Sequence, residues 1–92
     1  MAVEIHSEGD EAYEKLPFYA KLGVPEVWVI DKDTKFPEVY ELRGKEYELV
    51  ESGKDGWILS KATGLELRAT GSGKLSIRLA GDDSTREELP EE

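Results

Sequence analysis

Ninety-two residues, 38% of them hydrophobic, with a formal net charge of −9, set the size of one domain with one core. The chain has no cysteine, which excludes disulfides, thiolate zinc sites and cysteine nucleophiles. No apolar run approaches the roughly 20 residues that span a bilayer, and MAVEIHSEGDE has neither a basic n-region nor an apolar h-region, so a soluble, cytoplasmic domain with no membrane partner is expected.

In chain order, Ala2 to His6 reads as a short strand, broken by the polar Ser7 to Asp10. A helix is expected from Glu11 to Leu22, where Ala12, Leu16, Tyr19 and Ala20 recur on one face. Asp10 fits its N-cap, and Gly23 with Pro25 fits its stop. Pro17 lacks a backbone donor, so it either kinks this helix or delays its start to near Tyr13. Glu26 to Ile30 is continuous and β-branched, as in a strand covered on both faces, and Asp31 closes it in a turn. Phe36 to Leu42 and Lys45 to Val50 alternate around Arg43-Gly44 and read as a hairpin. After the loop Ser52 to Gly56, short strands are expected at Trp57 to Leu59, Leu65 to Ala69 and Lys74 to Leu79. Trp28, Tyr40, Tyr47 and Trp57 read as packing residues. The last eleven residues, Asp82 to Glu92, carry six carboxylates and one arginine, with Leu89 as the one apolar side chain. They read as an acidic tail that frays beyond a domain spanning residues 1–81.

Strand, helix and strand within about thirty residues form a βαβ crossover with parallel strands, here extended by antiparallel hairpin strands into a mixed α+β sheet. The carboxyl edge of such a sheet collects His6, the loop to Asp10, the helix start and Asp31, and ligand sites favour that edge. Glu4 shares a strand face with His6, and Val3 and Ile5 share the other. A carboxylate on a covered strand must be paired, protonated or bound to metal. Plainer readings stand beside this one. An edge glutamate can face water, His6 can be a surface residue, Lys15 a solvated helix residue and Asp31 a turn former. Asp10, Glu11 and Glu14 can simply favour the positive end of the helix dipole.

The pieces Val3-Glu4-Ile5, Ser7, Asp10-Glu11, YEKLPFYA from Tyr13 to Ala20, Leu22-Gly23-Val24, Glu26 and Trp28-Val29-Ile30-Asp31 resemble, in order and spacing, the Uma-two-type restriction endonuclease family of the PD-(D/E)XK nuclease superfamily. The resemblance extends through PEVYELRGKEYELV and TGLELRATGSGKLSIRL, from about Ala2 to Leu79. It implies a restriction-endonuclease-like partial core, Mg²⁺ as cofactor, DNA as substrate, Glu4 as metal ligand and catalytic carboxylate, and Lys15 as the catalytic lysine; His6, Asp10 and Asp31 are accessory candidates by their place at the sheet edge and not by the resemblance. Relatives carry a Pro-Asp just upstream of the Val-Glu-Val-like segment, where this chain has Met1 and Ala2, and the expected lysine two residues after the glutamate is His6. The chain thus looks like the C-terminal half of the family domain.

An acidic body repels a phosphate backbone, although metal-dependent nucleases also collect carboxylates. One carboxylate with water holds Mg²⁺ poorly, so a degenerate nuclease domain with little or no hydrolysis is the first expectation. An active Mg²⁺-dependent nuclease completed by a second subunit or by a further carboxylate such as Asp10 or Asp31 is the second, and a protein-interaction domain using an open sheet edge the third. Open edges pair, so a homodimer is expected.

Overall fold

The expected parallel pair forms. Strand β1 (Ala2–His6) runs parallel to β2 (Glu26–Asp31), with Glu4 opposite Val29 and His6 opposite Asp31. The computed structural model describes residues 1–7 and 12–89. β2 then pairs antiparallel with β3 (Pro37–Arg43), which forms a hairpin with β4 (Glu46–Leu49) across Gly44 at φ +66°. The order of this first sheet is β1-β2-β3-β4.

The helical segment is shorter than the periodicity suggests. A single 3-10 turn covers Tyr13–Lys15, and the α-helix α1 covers only Leu16–Lys21. Pro17 explains the late start. Its ring is tolerated only in the first turn, where the missing N–H had no intrahelical partner anyway. The end is as expected. Gly23 at φ +74° donates its N–H to Ala20 O, and Val24 donates to Tyr19 O, which satisfies two terminal carbonyls. The proposed cap at Asp10, and Glu11, lie outside the described residues.

The strands beyond the Ser52 to Gly56 loop do not extend this sheet, as a single mixed sheet would require. β5 (Ile58–Ser60), β6 (Leu65–Ala69), β7 (Leu75–Leu79) and β8 (Asp82–Leu89) form a second, fully antiparallel sheet. The reason is coverage. A six-residue helix can protect only one face of the first sheet. That face holds Val27 and Val29, packed with Ala12, Leu16, Tyr19, Tyr40 and Tyr47. The opposite face, with Trp28, Ile30 and Val39, is buried against Ile58, Leu67 and Leu75 of the second sheet. This accounts for the continuous apolar run of β2, whose Glu26 to Ile30 are all buried.

The acidic tail expected to fray contributes β8. Asp82–Leu89 pairs with β7, bringing Leu89 opposite Leu75 and Glu88 opposite Ser76, with a register irregularity between Ile77 and Leu79. Burial of apolar side chains is not what holds this strand. Backbone ladder bonds to β7 and the Arg78–Asp83 contact at 3.2 Å do so. Its exposed charged side chains suit an edge strand, which they protect from further pairing. Trp57 lies just before β5, which begins one residue later than expected. It and Trp28 are buried, as their reading as packing residues requires.

Candidate functional site

On the helix-covered face of the first sheet, strand pairing sets Glu4 of β1, Val29 of β2 and Glu38 of β3 in one row. His6 and Asp31 form the next row towards the carboxyl ends of β1 and β2. The helical segment lies over both rows and meets each glutamate with a tyrosine. Tyr19 Oη donates to Glu4 Oε1, and Tyr13 Oη donates to Glu38 Oε1. Lys15 Nζ donates to Glu4 Oε2 at 3.5 Å. The Glu4 side chain is 15% exposed and that of Lys15 50%, so the carboxylate is shielded and the ammonium sits at the rim.

His6 and Asp31 lie in a small cleft of about 160 Å³, lined also by Tyr13, Thr34, Phe36 and Glu38. The rings of His6 and Tyr13 meet edge to face at 4.8 Å between centroids. Asp31 Oδ1 accepts from the N–H groups of Asp33 and Thr34, both at 2.9 Å, which closes the turn into β3. Those two N–H groups, that of Thr34 foremost, hold its carboxyl below the usual range, with a smaller contribution from His6. The structure therefore brings Glu4 and Lys15 into direct contact and places His6 beside Asp31. Neither Glu4 nor Lys15 lines the cleft.

The phenols respond to these surroundings. Tyr13 is raised well above its usual value, first by burial and then by the hydrogen bond to Glu38. Tyr40 is pushed up to about 12, first by burial and then by the charge of Glu38. Tyr19 is raised chiefly by its hydrogen bond to Glu4. All three stay protonated at neutral pH, and Tyr13 and Tyr19 act as donors to Glu38 and Glu4. Tyr13, Tyr19 and Glu38 were not among the site residues read from sequence. The i, i+4 spacing of Lys15 and Tyr19 was a usable signal, because such pairs share a helical face.

A family model named Uma2 and described as "Putative restriction endonuclease" matches residues 1–76 of the 92. The chain belongs to the Uma2 family. No match was found among curated proteins or among solved structures. The Uma2 match runs from β1 into the start of β7, close to the span of the sequence resemblance, and leaves β8 outside it. Uma2 membership implies nuclease chemistry, which typically uses metal ions, so the donor set must be tested against a hard cation. Among the described residues, no three His, Cys, Asp or Glu side chains are grouped so as to hold a metal. Both Glu4 oxygens are engaged by Tyr19 and Lys15, and Asp31 Oδ1 is engaged by its own turn. As arranged here, these residues do not fit Mg²⁺, which needs several oxygen ligands at near-octahedral geometry. No helix among the described residues is long and apolar enough to cross a membrane.

Proposed function

We propose that this chain is a nuclease-family domain acting on DNA in which Glu4 and Lys15 are what it provides of a phosphodiester-hydrolysing site. We further propose that it has little or no hydrolytic activity by itself. The observation that carries this reading is the Glu4–Lys15 contact between β1 and the helical segment. A lysine so placed can stabilise charge on a phosphate oxygen or orient a water, and the carboxylate beside it can hold that lysine in place. A second carboxylate fixed beside Glu4 is what efficient hydrolysis would add. Glu38 shares the row of Glu4 with Val29 between them, and Asp31 lies two residues beyond Val29 along β2. His6 and Asp31 are accessory groups in this reading, and Mg²⁺ binding is weak. Plasmid nicking with Mg²⁺ or Mn²⁺ tests it, comparing the unmodified chain with Glu4→Ala and Lys15→Ala. Absence of nicking in all three is expected. Metal-dependent nicking lost in both variants would instead mark an active nuclease completed by a second subunit or a further carboxylate.

A second reading is favoured by the outer edge of β1. Val3 and Ile5 are 48% and 55% exposed, yet they sit in register with the buried Trp28 and Ile30 on the same sheet face. The core-facing apolar surface thus runs one strand beyond its cover, at an edge whose backbone groups can pair. A homodimer joined through two β1 edges would use that surface. Light scattering should then give twice the chain mass, and Ile5→Lys should return it to a single copy. A monomer at high concentration would exclude the dimer.

A further inference from the structure

Each sheet has two edge strands, and the edges differ in how they are guarded. β4 carries the exposed Glu46 and Glu48, β8 is lined with exposed carboxylates, and β5 is three residues long. Charge and shortness are the usual defences against strand addition. β1 has neither an exposed charge nor a bulge, because Val3 and Ile5 are its exposed side chains and Glu4 lies under the helical segment. Its outward backbone groups follow from one hydrogen bond. His6 pairs with Asp31 and its carbonyl accepts from Lys32 N at 2.8 Å, so His6 and, by alternation, Glu4 direct their N–H and C=O groups at β2. Those of Val3 and Ile5 then face the free edge. A second copy can add here antiparallel about a two-fold axis, and the registers centred on Val3, Glu4 or Ile5 keep the sheet faces matched. Centred on Glu4, the two Glu4 side chains stand directly opposite at the closer spacing of about 4.5 Å between Cα atoms, where like charges are destabilising. Centred on Val3, each Glu4 faces the partner's Ala2. Centred on Ile5, each Glu4 faces the partner's His6, and the two Ile5 side chains meet on the core-facing side. We propose that two copies join through β1 in the register centred on Ile5, so that each Glu4 lies opposite the partner's His6 and the two first sheets become one. The proposal rests on the homodimer reading of this edge and adds the register and the groups that select it.

Charge makes the selection. Each copy carries a net charge of −9, and the Glu4 side chain, 15% exposed, is poorly placed to be screened from a second carboxylate. An imidazole opposite it offers an N–H donor, and its cationic form adds attraction. The Tyr13 ring, edge to face with His6, keeps that imidazole on the Glu4 side of the sheet. The chain has no cysteine, so introduced cysteines report the register without background. Val3 and Ile5 are both about half exposed, and a cysteine at either leaves the core in place. A residue on the two-fold axis meets its own copy at about 5.5 Å between Cα atoms, within disulfide range. In a glutathione redox buffer, Ile5→Cys should form about tenfold more disulfide-linked dimer than Val3→Cys, with urea-unfolded chain as the baseline for chance collision. A mixture of the two variants should form the Val3→Cys to Ile5→Cys linkage no more than that baseline. Predominant linkage within Val3→Cys, or between the two variants in the mixture, would show a dimer through β1 in another register; the homodimer reading would stand and the proposal would fall. A dimer of the unmodified chain by light scattering, with no linkage above baseline in any sample, would place the interface elsewhere and overturn both. A monomer at high concentration would also overturn both.

Discussion

Glu26 of β2 accepts a hydrogen bond from Ser60 of β5, joining the two sheets through a carboxylate that is 2% exposed. The same Oε2 also accepts from Trp28 Nε1 at 2.8 Å, and Oε1 accepts from Ala62 N at 3.4 Å. A buried carboxylate is tolerated here because donors from both sheets converge on it. Glu26→Ala would strand the Trp28 and Ser60 donors and should cost about 2–4 kcal/mol. Glu26→Gln retains one acceptor oxygen and should cost less. Urea denaturation measures both, and a Glu26→Ala loss below about 0.5 kcal/mol would show that the link contributes nothing.

The core between the sheets sets a second scale. Leu67 is fully buried in β6, among Trp28, Ile30, Val39, Ile58 and Leu75. Leu67→Ala should cost about 2–5 kcal/mol, as lost burial and a residual cavity add. Leu59, on the other face of the second sheet, is 39% exposed, and Leu59→Ala should cost less than about 1 kcal/mol. Similar losses at the two positions would contradict the assignment of the inner face.

These two positions also mark how far the sequence could be read. The parallel β1–β2 pair followed from the strand–helix–strand order and from EVWVI, and the β3–β4 hairpin from alternation around Arg43-Gly44. The split into two sheets was not legible, because LELRA and KLSIRL alternate equally well as an extension of the first sheet or as a second one. What decides it is coverage of Trp28, Ile30 and Val39, together with the Glu26–Ser60 link across 34 residues. At the site, alternation along β1 correctly put Glu4 and His6 on one face. The Tyr13–Glu38 bond, 25 residues apart, depends on where a shortened helix settles, which periodicity does not specify. The acidic tail misled because its side chains bury little, whereas a β-ladder is held by the backbone, which every sequence shares.

All four tyrosines of the chain have phenols raised above the ordinary 10.0. Burial is the foremost cause for Tyr13, Tyr40 and Tyr47, and the bond to Glu4 for Tyr19. The folded state therefore holds these protons more tightly than the unfolded chain does. The stability they contribute is full below pH 10.0 and declines as pH rises through the folded-state values, which include about 12 for Tyr40. Phenolate absorbance should appear later in the folded protein than in urea-unfolded chain, and the urea midpoint should fall above pH 10.0. Superimposable folded and unfolded titrations would mean that these phenols are not held as described.

Gly23 ends α1 in a left-handed conformation at φ +74°, with open space where a Cβ would stand. Gly23→Ala should therefore cost about 1 kcal/mol through backbone strain alone. A urea-midpoint series shows this, and a neutral result would mean that the helix end adopts another conformation.

On the outer face of the second sheet, Arg68 and Arg78 both lie over the buried Trp57 ring, at 4.4 and 4.1 Å from its centroid. Their stacking is alike, and their remaining partners are not. Arg68 donates to a backbone carbonyl, Asp55 O, at 3.1 Å. Arg78 instead meets Glu66 at 3.0 Å and Asp83 at 3.2 Å, with Asp55 at 3.9 Å. Substitution by Met keeps an apolar stem over Trp57 in both cases and removes the guanidinium. Arg68→Met gives up stacking and one hydrogen bond to a neutral group. Arg78→Met also leaves Glu66, whose side chain is 18% exposed, with the Gly81 N–H as a donor and no cation beside it. A poorly hydrated carboxylate without its partner costs more than the pair was worth. Arg78→Met should therefore lower the urea midpoint further than Arg68→Met. Adding Glu66→Gln to Arg78→Met should recover part of that loss, because the charge left behind is then removed. Equal losses in the two Met variants, with no recovery in the double variant, would assign the stability of this face to stacking on Trp57 alone.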